Sequence, residues 1–306
     1  MTTKPEDEEP QHEAKDSTTS SSNLGPSAEN NSNNSNNSNK NTEQNPKNRS
    51  HQTDSSLLHR RRTLYLVRHG EAVHNVLEAK AQAQAKAEAQ ARNLSPEETQ
   101  ELMEERRKAV LEDTSLRDAP LTDNGREQAR KCAARLQQLI DEGRTHPPTE
   151  AMVSPLNRTL ETCQIILNSI NPDIKAHIRT EIQERKTQYP ADTAARRSSL
   201  FRYTSATDRF FMDHIGQCPE EDVEDECNAR ESSEMLRQRA AGLFHLLMEM
   251  SHRHMLVVSH KGYLRELERG LLGLDDSPLF GNAELRVYRV TFTKGKRELE
   301  AIERLV

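Results

Sequence analysis

The sequence predicts an α/β domain whose mostly parallel central sheet is covered by helices on both faces. The first observation is a short, continuously apolar run at Thr63–Val67, which is typical of a strand buried on both faces. Similar runs recur at Ala151–Val153 and Met255–Val258. Segments with apolar residues at helical spacing separate these runs, and strands that alternate with helices favour a parallel sheet.

Composition divides the chain into a polar leader and one domain. Only 33% of the residues are apolar, and the mean hydropathy is -0.93. The polar excess is concentrated in residues 1–58, and residues 23–48 alone contain eleven asparagines. Such a segment cannot bury enough apolar surface to offset the backbone entropy lost on ordering. We therefore predict a disordered Asn/Ser-rich leader over 1–58, with assembly through stacked asparagines as the alternative, and one domain over 59–306.

Each further element of the domain has a local signal. Thr122 or Asp123 is expected to begin a helix that Gly143 ends, because the apolar residues between them recur at helical spacing. Ser154 and Pro155 are expected to be the N-cap and the first residue of the next helix. The remaining elements, in chain order, are a helix from Ser232 or Ser233 to Met250, a helix over 262–272 and a final strand at Leu285–Phe292.

One segment suggests a helical insertion. Residues 78–92 place alanine at every second position between residues that favour helix, so they predict a solvent-exposed helix without an apolar stripe. Ser95–Glu98 resembles a capping box that begins a second helix, to about Glu112. We interpret residues 78–112 as an insertion that is either passive or acts as a lid or docking arm.

A second segment lacks any periodicity. Residues 189–231 are polar and predict an irregular section of the domain. Its acidic run at 220–226 is interpreted as a solvated loop, with a divalent-metal site as the alternative.

Several classes of protein are disfavoured. No apolar run approaches the ~18 residues of a membrane-spanning helix, and the first residues lack the apolar segment of a secretory signal. A net charge of -6 gives no broad basic surface for nucleic acid. Four cysteines without a C-x-x-C pair fit reduced thiols. We expect a cytoplasmic or nuclear protein that binds neither membranes nor nucleic acids, and its oligomeric state is not indicated.

Basic side chains follow three of the predicted strands or begin the helix after them. Arg68 and His69 come directly after the first strand, Arg158 lies in the first turn of the helix after Pro155, and His260 follows Met255–Val258. Ligands bind at the carboxyl ends of parallel strands, so we expect one shared crevice. Two guanidiniums with two imidazoles suit a dianionic phosphoryl group.

Other kinds of site have little support. His69 and His74 could suggest a metal, but H-x-x-x-x-H lacks the usual one-face spacing and no third ligand is evident. The glycine-rich loops of nucleotide-binding proteins and the G-x-S-x-G of serine hydrolases do not occur. We therefore expect neither a metal nor a cofactor.

Five segments together carry a resemblance to a known family. The chain resembles the phosphoglycerate-mutase-like branch of the histidine phosphatase superfamily, with matching segments at 66–75, 119–125, 154–162, 182–185 and 258–262. The resemblance implies that His69 is the nucleophile and that Arg68, Arg158 and His260 form the phosphate pocket. It also implies that Asn75 is a further phosphate ligand and that Glu184 is the proton donor. Glu181, three residues earlier, is the alternative donor.

The chain departs from the family pattern at two positions of the motifs. Mutase members commonly carry tryptophan before the asparagine of the first motif, whereas this chain has no tryptophan and places His74 there. The pair His74–Asn75 is similar to the His-Asn subgroup of broad-specificity phosphatases. His74 could contact substrate or be a structural or solvent-facing imidazole. Lys261 stands where the family often has glycine.

The resemblance and the residues agree on one reaction. We expect a metal-independent phosphomonoesterase of the histidine acid phosphatase type, which hydrolyses a small phosphorylated metabolite through a phosphohistidine. A phosphoglycerate mutase is the first alternative, and a non-catalytic phosphate-binding scaffold is the second. Arg185, Lys186, Arg196 and Arg197 suggest multiply phosphorylated substrates, although any of them could be solvated surface.

Overall fold

A computed structural model describes residues 59–193, 200, 209–212, 230–249, 252–293 and 299–306. All of these residues belong to one compact unit, 52–306. The predicted disordered leader over 1–58 and the acidic run at 220–226 lie outside the described residues.

Within the described residues, seven strands form one sheet in the order β4-β3-β2-β5-β1-β6-β7. The first five pair in parallel, whereas β6 and β7 are antiparallel additions at one edge. The predicted α/β class with a mostly parallel sheet is therefore confirmed. The strands are β1 (His59–Arg68), β2 (Glu150–Val153), β3 (Ala176–Ile178), β4 (Phe210–Phe211), β5 (His254–Ser259), β6 (Leu285–Thr293) and β7 (Leu299–Arg304).

Helices follow most of the strands. They are α1 (Val73–Ala91), α2 (Pro96–Leu111), α3 (Asp123–Asp141), α4 (Asn157–Ile170), α5 (Ser233–Ala241), α6 (Leu243–Glu249) and α7 (Lys261–Gly270). The predicted caps of α3 are confirmed. The Thr122 side chain accepts a hydrogen bond from the Gly125 N–H, and Gly143 follows the helix with a φ of 67°.

Alternate residues of β1 pack on opposite faces of the sheet. Tyr65 and Val67 belong to a core that includes Leu136 of α3 and Leu160 of α4. Leu64 and Leu66 belong to a second core with the side chains of α5, α6 and α7. The period of two along a strand produces this division, and it confirms that helices cover both faces.

Three predicted boundaries are wrong. Ser154 and Pro155 do not cap α4, which begins at Asn157 after an N-cap at Leu156 that makes no side-chain cap. The helix predicted from Ser232 to Met250 is broken at Gly242 into α5 and α6, and Met250 lies outside the described residues. The strand at 285–292 is not the last one, because β7 pairs with it.

Strands β3, β4 and β7 were not predicted. β3 and β4 have three and two residues, too few to show a period. β7 carries two half-buried apolar residues among exposed charged ones, which is usual for an edge strand. The irregular section expected over 189–231 therefore contains a strand, β4.

The insertion is a helical hairpin formed by α1 and α2. The Ser95–Glu98 capping box is confirmed, with Glu98 N–H donating to Ser95 Oγ at 3.2 Å and Ser95 N–H to Glu98 Oε2 at 2.8 Å. The solvated helix expected over 78–92 begins earlier, at Val73, and it buries Ala85 and Ala89. These alanines are one turn apart and therefore lie on the same face of the helix. They form a narrow apolar strip that was not predicted, because alanine at every second position suggests an even distribution around the helix.

The described cysteines, Cys132 and Cys163, are buried free thiols, and burial raises the pKa of both to about 12. The other two, Cys218 and Cys227, lie outside the described residues. Among the described helices, none has the length and apolar character needed to cross a bilayer.

Candidate active site

The predicted site residues meet at the carboxyl ends of three adjacent parallel strands, β2, β5 and β1. Arg68 ends β1 and His69 follows it, His260 follows β5, and Arg158 is the second residue of α4. At this edge lies a cavity of about 430 Å³, whose wall includes Arg68, His69, Asn75, Arg158 and Glu184. The expected shared crevice is therefore present. His260 is the predicted site residue that does not line it.

His69 is buried and held in one tautomer. Its Nδ1 lies 2.7 Å from the Gly70 carbonyl oxygen. Because a carbonyl oxygen only accepts, Nδ1 must carry the proton, and Nε2 keeps its lone pair. Burial, followed by the positive charges of Arg158 and Arg68 and the neighbouring His260, lowers the pKa of His69 well below its ordinary value. The imidazole is therefore neutral and nucleophilic at physiological pH.

His260 is fully buried beside His69, with 5.2 Å between the ring centroids. A hydrogen bond of 2.7 Å joins its Nε2 to Ser154 Oγ. Its Nδ1 is buried and has no hydrogen-bond partner in the structure. Burial and then the charge of Arg158 lower the pKa of His260 well below its ordinary value. Ser154, expected to cap a helix, instead orients this ring.

Arg158 is fully buried and clamped by a loop that follows β3. Its Nη1 donates to the Ala191 carbonyl at 2.7 Å, and its Nη2 donates to Asp192 Oδ1 at 3.3 Å. Asp192 in turn accepts from Thr187 Oγ1 at 2.8 Å. Burial raises the pKa of Asp192 to about 6, although the charge of Arg158 opposes that rise. The clamp fixes a guanidinium that would otherwise be costly to bury.

Arg68 is the second buried guanidinium of the site. Its Nη1 donates to the Phe280 carbonyl at 2.9 Å. The Nε atoms of both Arg68 and Arg158 are buried without a hydrogen-bond partner in the structure. Buried polar groups are nearly always satisfied in folded proteins. The two guanidiniums place fixed positive charge and N–H donors in one cavity wall, an arrangement that suits an anion.

Asn75 and His74 form a pair at the start of α1. The Asn75 amide oxygen accepts from the Ala72 N–H at 3.1 Å, and its Nδ2 donates to His74 Nε2 at 2.9 Å. His74 Nε2 is thus an acceptor, and the ring proton lies on Nδ1. Burial lowers the pKa of His74 to about 2, so the ring is neutral. The solvent-facing alternative for His74 is wrong, because this buried side chain lines the cavity.

The Glu184 carboxylate is held by two backbone N–H groups. Arg185 donates to Oε1 at 2.8 Å, and Gly262 donates to Oε2 at 3.3 Å. Glu181 does not line the cavity; its side chain is 43% exposed and lies 3.7 Å from Arg179. Of the two carboxylates considered, only Glu184 lines the cavity.

Glycines allow the His69 loop to pack closely on α3. A Cβ at Gly70 would lie 2.4 Å from the Gly125 carbonyl oxygen, so only glycine fits there. The Gly70 N–H donates to Thr162 Oγ1 at 3.0 Å, which ties the loop to α4. This packing links the motif at 66–75 with those at 119–125 and 154–162.

Sequence reasoning missed several residues of the wall. Asp192 and Thr187 lie in a segment without periodicity, and only their proximity to Arg158 reveals them. The α1–α2 hairpin also contributes Glu78, Glu104 and Arg107, with Arg107 Nε 3.0 Å from Glu78 Oε2. The insertion therefore forms part of the site. Within the described residues, no cluster of three or more His, Cys, Asp or Glu side chains is arranged to hold a metal.

Comparison with known proteins gives the following similarities. A family model for the histidine phosphatase superfamily (branch 1) matches residues 104–304, more than half of the chain. That match includes Arg158, Glu184 and His260 and begins after His69. The comparison with curated protein sequences finds no match.

Solved structures with similar folds include three phosphatases. An ecdysone phosphate phosphatase from Bombix mori has 15% identity and a TM-score of 0.47, and the alignment covers 74% of this chain and 88% of that one. A mycobacterial glucosyl-3-phosphoglycerate phosphatase has 16% identity, coverage of 80% and 98%, and a TM-score of 0.44. A phosphoserine phosphatase from Entamoeba histolytica has 20% identity, coverage of 79% and 96%, and a TM-score of 0.41.

Proposed function

The chain belongs to the histidine phosphatase superfamily (branch 1), and from that premise we propose that it hydrolyses phosphomonoesters through a phosphohistidine at His69. One observation carries the proposal. A neutral imidazole with a free Nε2 lone pair and two buried guanidiniums line one cavity, and the charges of both guanidiniums act on that imidazole. A nucleophile beside donors for a dianion is what phosphoryl transfer requires.

The first step forms the covalent intermediate. His69 Nε2 attacks phosphorus and forms a P–N bond while the ester P–O bond breaks in line. The leaving oxygen takes a proton from Glu184, because an alkoxide is too strong a base to depart unprotonated. Arg68 and Arg158 stabilise the charge on the non-bridging phosphoryl oxygens.

The second step releases phosphate. Water attacks the phosphohistidine, Glu184 accepts a proton from that water, and the P–N bond breaks. Inorganic phosphate leaves and neutral His69 is restored. The same carboxyl group therefore donates a proton in one half-reaction and accepts one in the other.

We assign the positioning of the phosphoryl group to the remaining site residues. If Ser154 donates its hydroxyl proton to His260 Nε2, the His260 ring proton is on Nδ1. His260 does not line the cavity itself, and we assign it a position behind His69, 5.2 Å from that ring, from which its Nδ1–H supports the phosphoryl group on His69. Asn75 keeps one amide N–H for the same purpose. Fixed guanidiniums and imidazoles supply the charge stabilisation here, so the mechanism uses no metal ion and no cofactor.

We also propose the extent of the catalytic domain, the substrate class and the compartment. We propose that residues 59–306 are the catalytic domain, that the substrate is a small phosphorylated metabolite, and that the protein acts in the cytoplasm or nucleus. The narrower assignment to the His-Asn subgroup stays a prediction.

Phosphate release from a panel of monoesters tests the function. We expect the full chain to release phosphate, His69→Ala to lose nearly all of the activity, and His245→Ala, on an exposed face of α6, to retain it. Equal activity of wild type and His69→Ala would contradict the proposal. Transfer of the phosphoryl group between phosphoglycerate hydroxyls without release would instead identify a mutase.

A further inference from the structure

We propose that Glu78, on the helical insertion, lowers the affinity of the active site for phosphate, and that Arg107 limits this effect by pairing with Glu78. This inference rests on the proposed function and adds a pair of residues that sets how readily the product leaves. Neither residue belongs to the segments that resemble the family. Glu78 follows the segment at 66–75, and Arg107 precedes the segment at 119–125.

Glu78 lines the cavity on the same helix face as Asn75. The two residues are one turn of α1 apart, and both line the cavity together with Arg68 and Arg158. The Glu78 side chain is only 17% exposed, so water and salt screen its charge less than that of a surface carboxylate. A partly buried negative charge therefore lies in the wall that is proposed to hold the phosphoryl group.

The charge of Glu78 acts on residues of the phosphate pocket. Burial lowers the pKa of Arg68, and the carboxylates of Glu184 and Glu78 oppose that fall. Burial also raises the pKa of Asp192, which contacts Arg158, and the negative charge of Glu78 adds to that rise. A carboxylate that favours the positive form of Arg68 repels an anion bound to Arg68 for the same electrostatic reason.

Arg107 contacts this carboxylate from the second helix of the hairpin. Its Nε lies 3.0 Å from Glu78 Oε2, and its Nη1 lies 3.0 Å from Glu104 Oε1. One guanidinium is therefore shared between two carboxylates, which leaves a net negative charge on the hairpin side of the cavity. Glu104 is 57% exposed, so solvent screens its charge more than that of Glu78.

A negative charge near two buried guanidiniums has a use in turnover. Inorganic phosphate, the product, meets the same Arg68 and Arg158 as the phosphoryl group of the substrate. Tight binding of both would not speed the chemical step, and it would let the product block the site. By weakening the hold on phosphate, Glu78 favours release of the product, and the pairing with Arg107 keeps that effect moderate.

Binding of inorganic phosphate to the full-length protein, measured by isothermal titration calorimetry, tests the role of Glu78. Glu78→Gln removes the charge at nearly constant size. We expect the Kd for phosphate to fall about threefold to tenfold, and inhibition by phosphate to strengthen in parallel. Misfolding cannot produce tighter binding. Glu78→Asp keeps the charge, so its Kd should stay closer to that of wild type. Raising the ionic strength should reduce the difference between wild type and Glu78→Gln.

Substitution of the partner tests the pair. Arg107→Gln leaves Glu78 without its cation, and we expect the Kd for phosphate to rise about threefold to tenfold. The double variant, Glu78→Gln with Arg107→Gln, loses one charge of each sign, so its Kd should return to within about twofold of wild type. Glu127→Gln and Arg130→Gln are matched controls, because they break an exposed ion pair on α3, and both should leave the Kd unchanged.

The outcomes separate this inference from the proposed function. Unchanged or weaker phosphate binding by Glu78→Gln would overturn the role of Glu78. A double variant that binds as weakly as Arg107→Gln alone would also overturn it, because Arg107 would then contact phosphate itself. Either result leaves the phosphatase proposal standing if wild type releases phosphate from monoesters and His69→Ala does not. If wild type neither binds phosphate nor hydrolyses any monoester, both proposals fail.

Discussion

Replacing Gly262 by alanine is expected to disable proton transfer while the fold stays intact. A Cβ at this position would lie 2.3 Å from Glu184 Oε1 and 3.2 Å from its carboxyl carbon. Ordinary contact requires roughly 3.5 Å, so the carboxylate must move by about 1 Å. Because it is the end of a flexible side chain, this movement costs little stability. It also weakens the 3.3 Å hydrogen bond from the Gly262 N–H.

The magnitude follows from the assigned role of Glu184. A general acid contributes about 10²–10⁴ in rate, and a misplacement of about 1 Å costs about 10². We therefore expect kcat for propyl phosphate to fall about a hundredfold. The kcat for p-nitrophenyl phosphate should fall much less, because its leaving group is a weak base. Steady-state kcat and KM for both esters measure the difference.

Gly281→Ala is the matched control. A Cβ there meets nothing closer than 3.5 Å, so this variant should keep both activities. Urea unfolding of each variant verifies that the fold is preserved. If Gly262→Ala loses activity equally on both esters, or on neither, Glu184 is not the proton donor.

Three further substitutions have expected outcomes. Arg158→Lys keeps the charge but loses the planar guanidinium that donates to Ala191 and Asp192. In steady-state assays kcat/KM should therefore fall about 10²–10³-fold, whereas the control Arg130→Lys should show no change. Ser154→Ala removes the hydroxyl that orients His260. We expect the free energy of unfolding, measured in urea, to fall by about 1–3 kcal/mol and kcat to fall as well, and unchanged values of both would show that this hydrogen bond is unimportant. Burial raises the pKa of Asp192 from 3.8 to about 6, so its contribution to the free energy of unfolding is full below pH 3.8 and is lost as the pH rises to about 6. Asp192→Asn should remove that pH dependence from urea unfolding curves, and a parallel pH profile would refute the assigned burial.

The sequence predicted the parts of the fold whose signals are local. The runs at Thr63–Val67 and Met255–Val258 lie in buried strands, as predicted. A short, continuously apolar run is typical of a strand that is covered on both faces. The edge strand β7 was missed because four of its six residues are exposed, so its pattern resembles that of a polar loop. It pairs with the preceding strand, β6, but its sequence does not alternate apolar and polar residues in a way that predicts a strand.

The candidate site divides in the same way. Arg68, His69 and Arg158 could be located because each lies at the end of an apolar run or in the first turn of the helix that follows one. Parallel strands end at one edge of the sheet, so these residues were expected to meet there. Asp192 could not be located, since its role depends on a loop that places it 3.3 Å from Arg158. The side chain of Ser154 was predicted to form a hydrogen bond, but with the wrong partner. Its hydroxyl bonds to His260, 106 residues later, rather than to a nearby helix N-terminus.

The α1–α2 hairpin shows how an insertion becomes part of a site. Arg107 of α2 lies 3.0 Å from both Glu78 of α1 and Glu104, and all three residues line the cavity. The sequence left a passive insertion and a lid as alternatives. The structure places the hairpin in the wall of the cavity.

Trapping the covalent intermediate is the most direct test of the proposed phosphohistidine at His69. Full-length protein is mixed with a ³²P-labelled monoester and quenched in alkali, which preserves phosphohistidine, and the label is located by peptide mapping. We expect label on the peptide that contains His69, and none in His69→Ala. Phosphate release at the normal rate with no labelled histidine, or with label on another side chain, would contradict it.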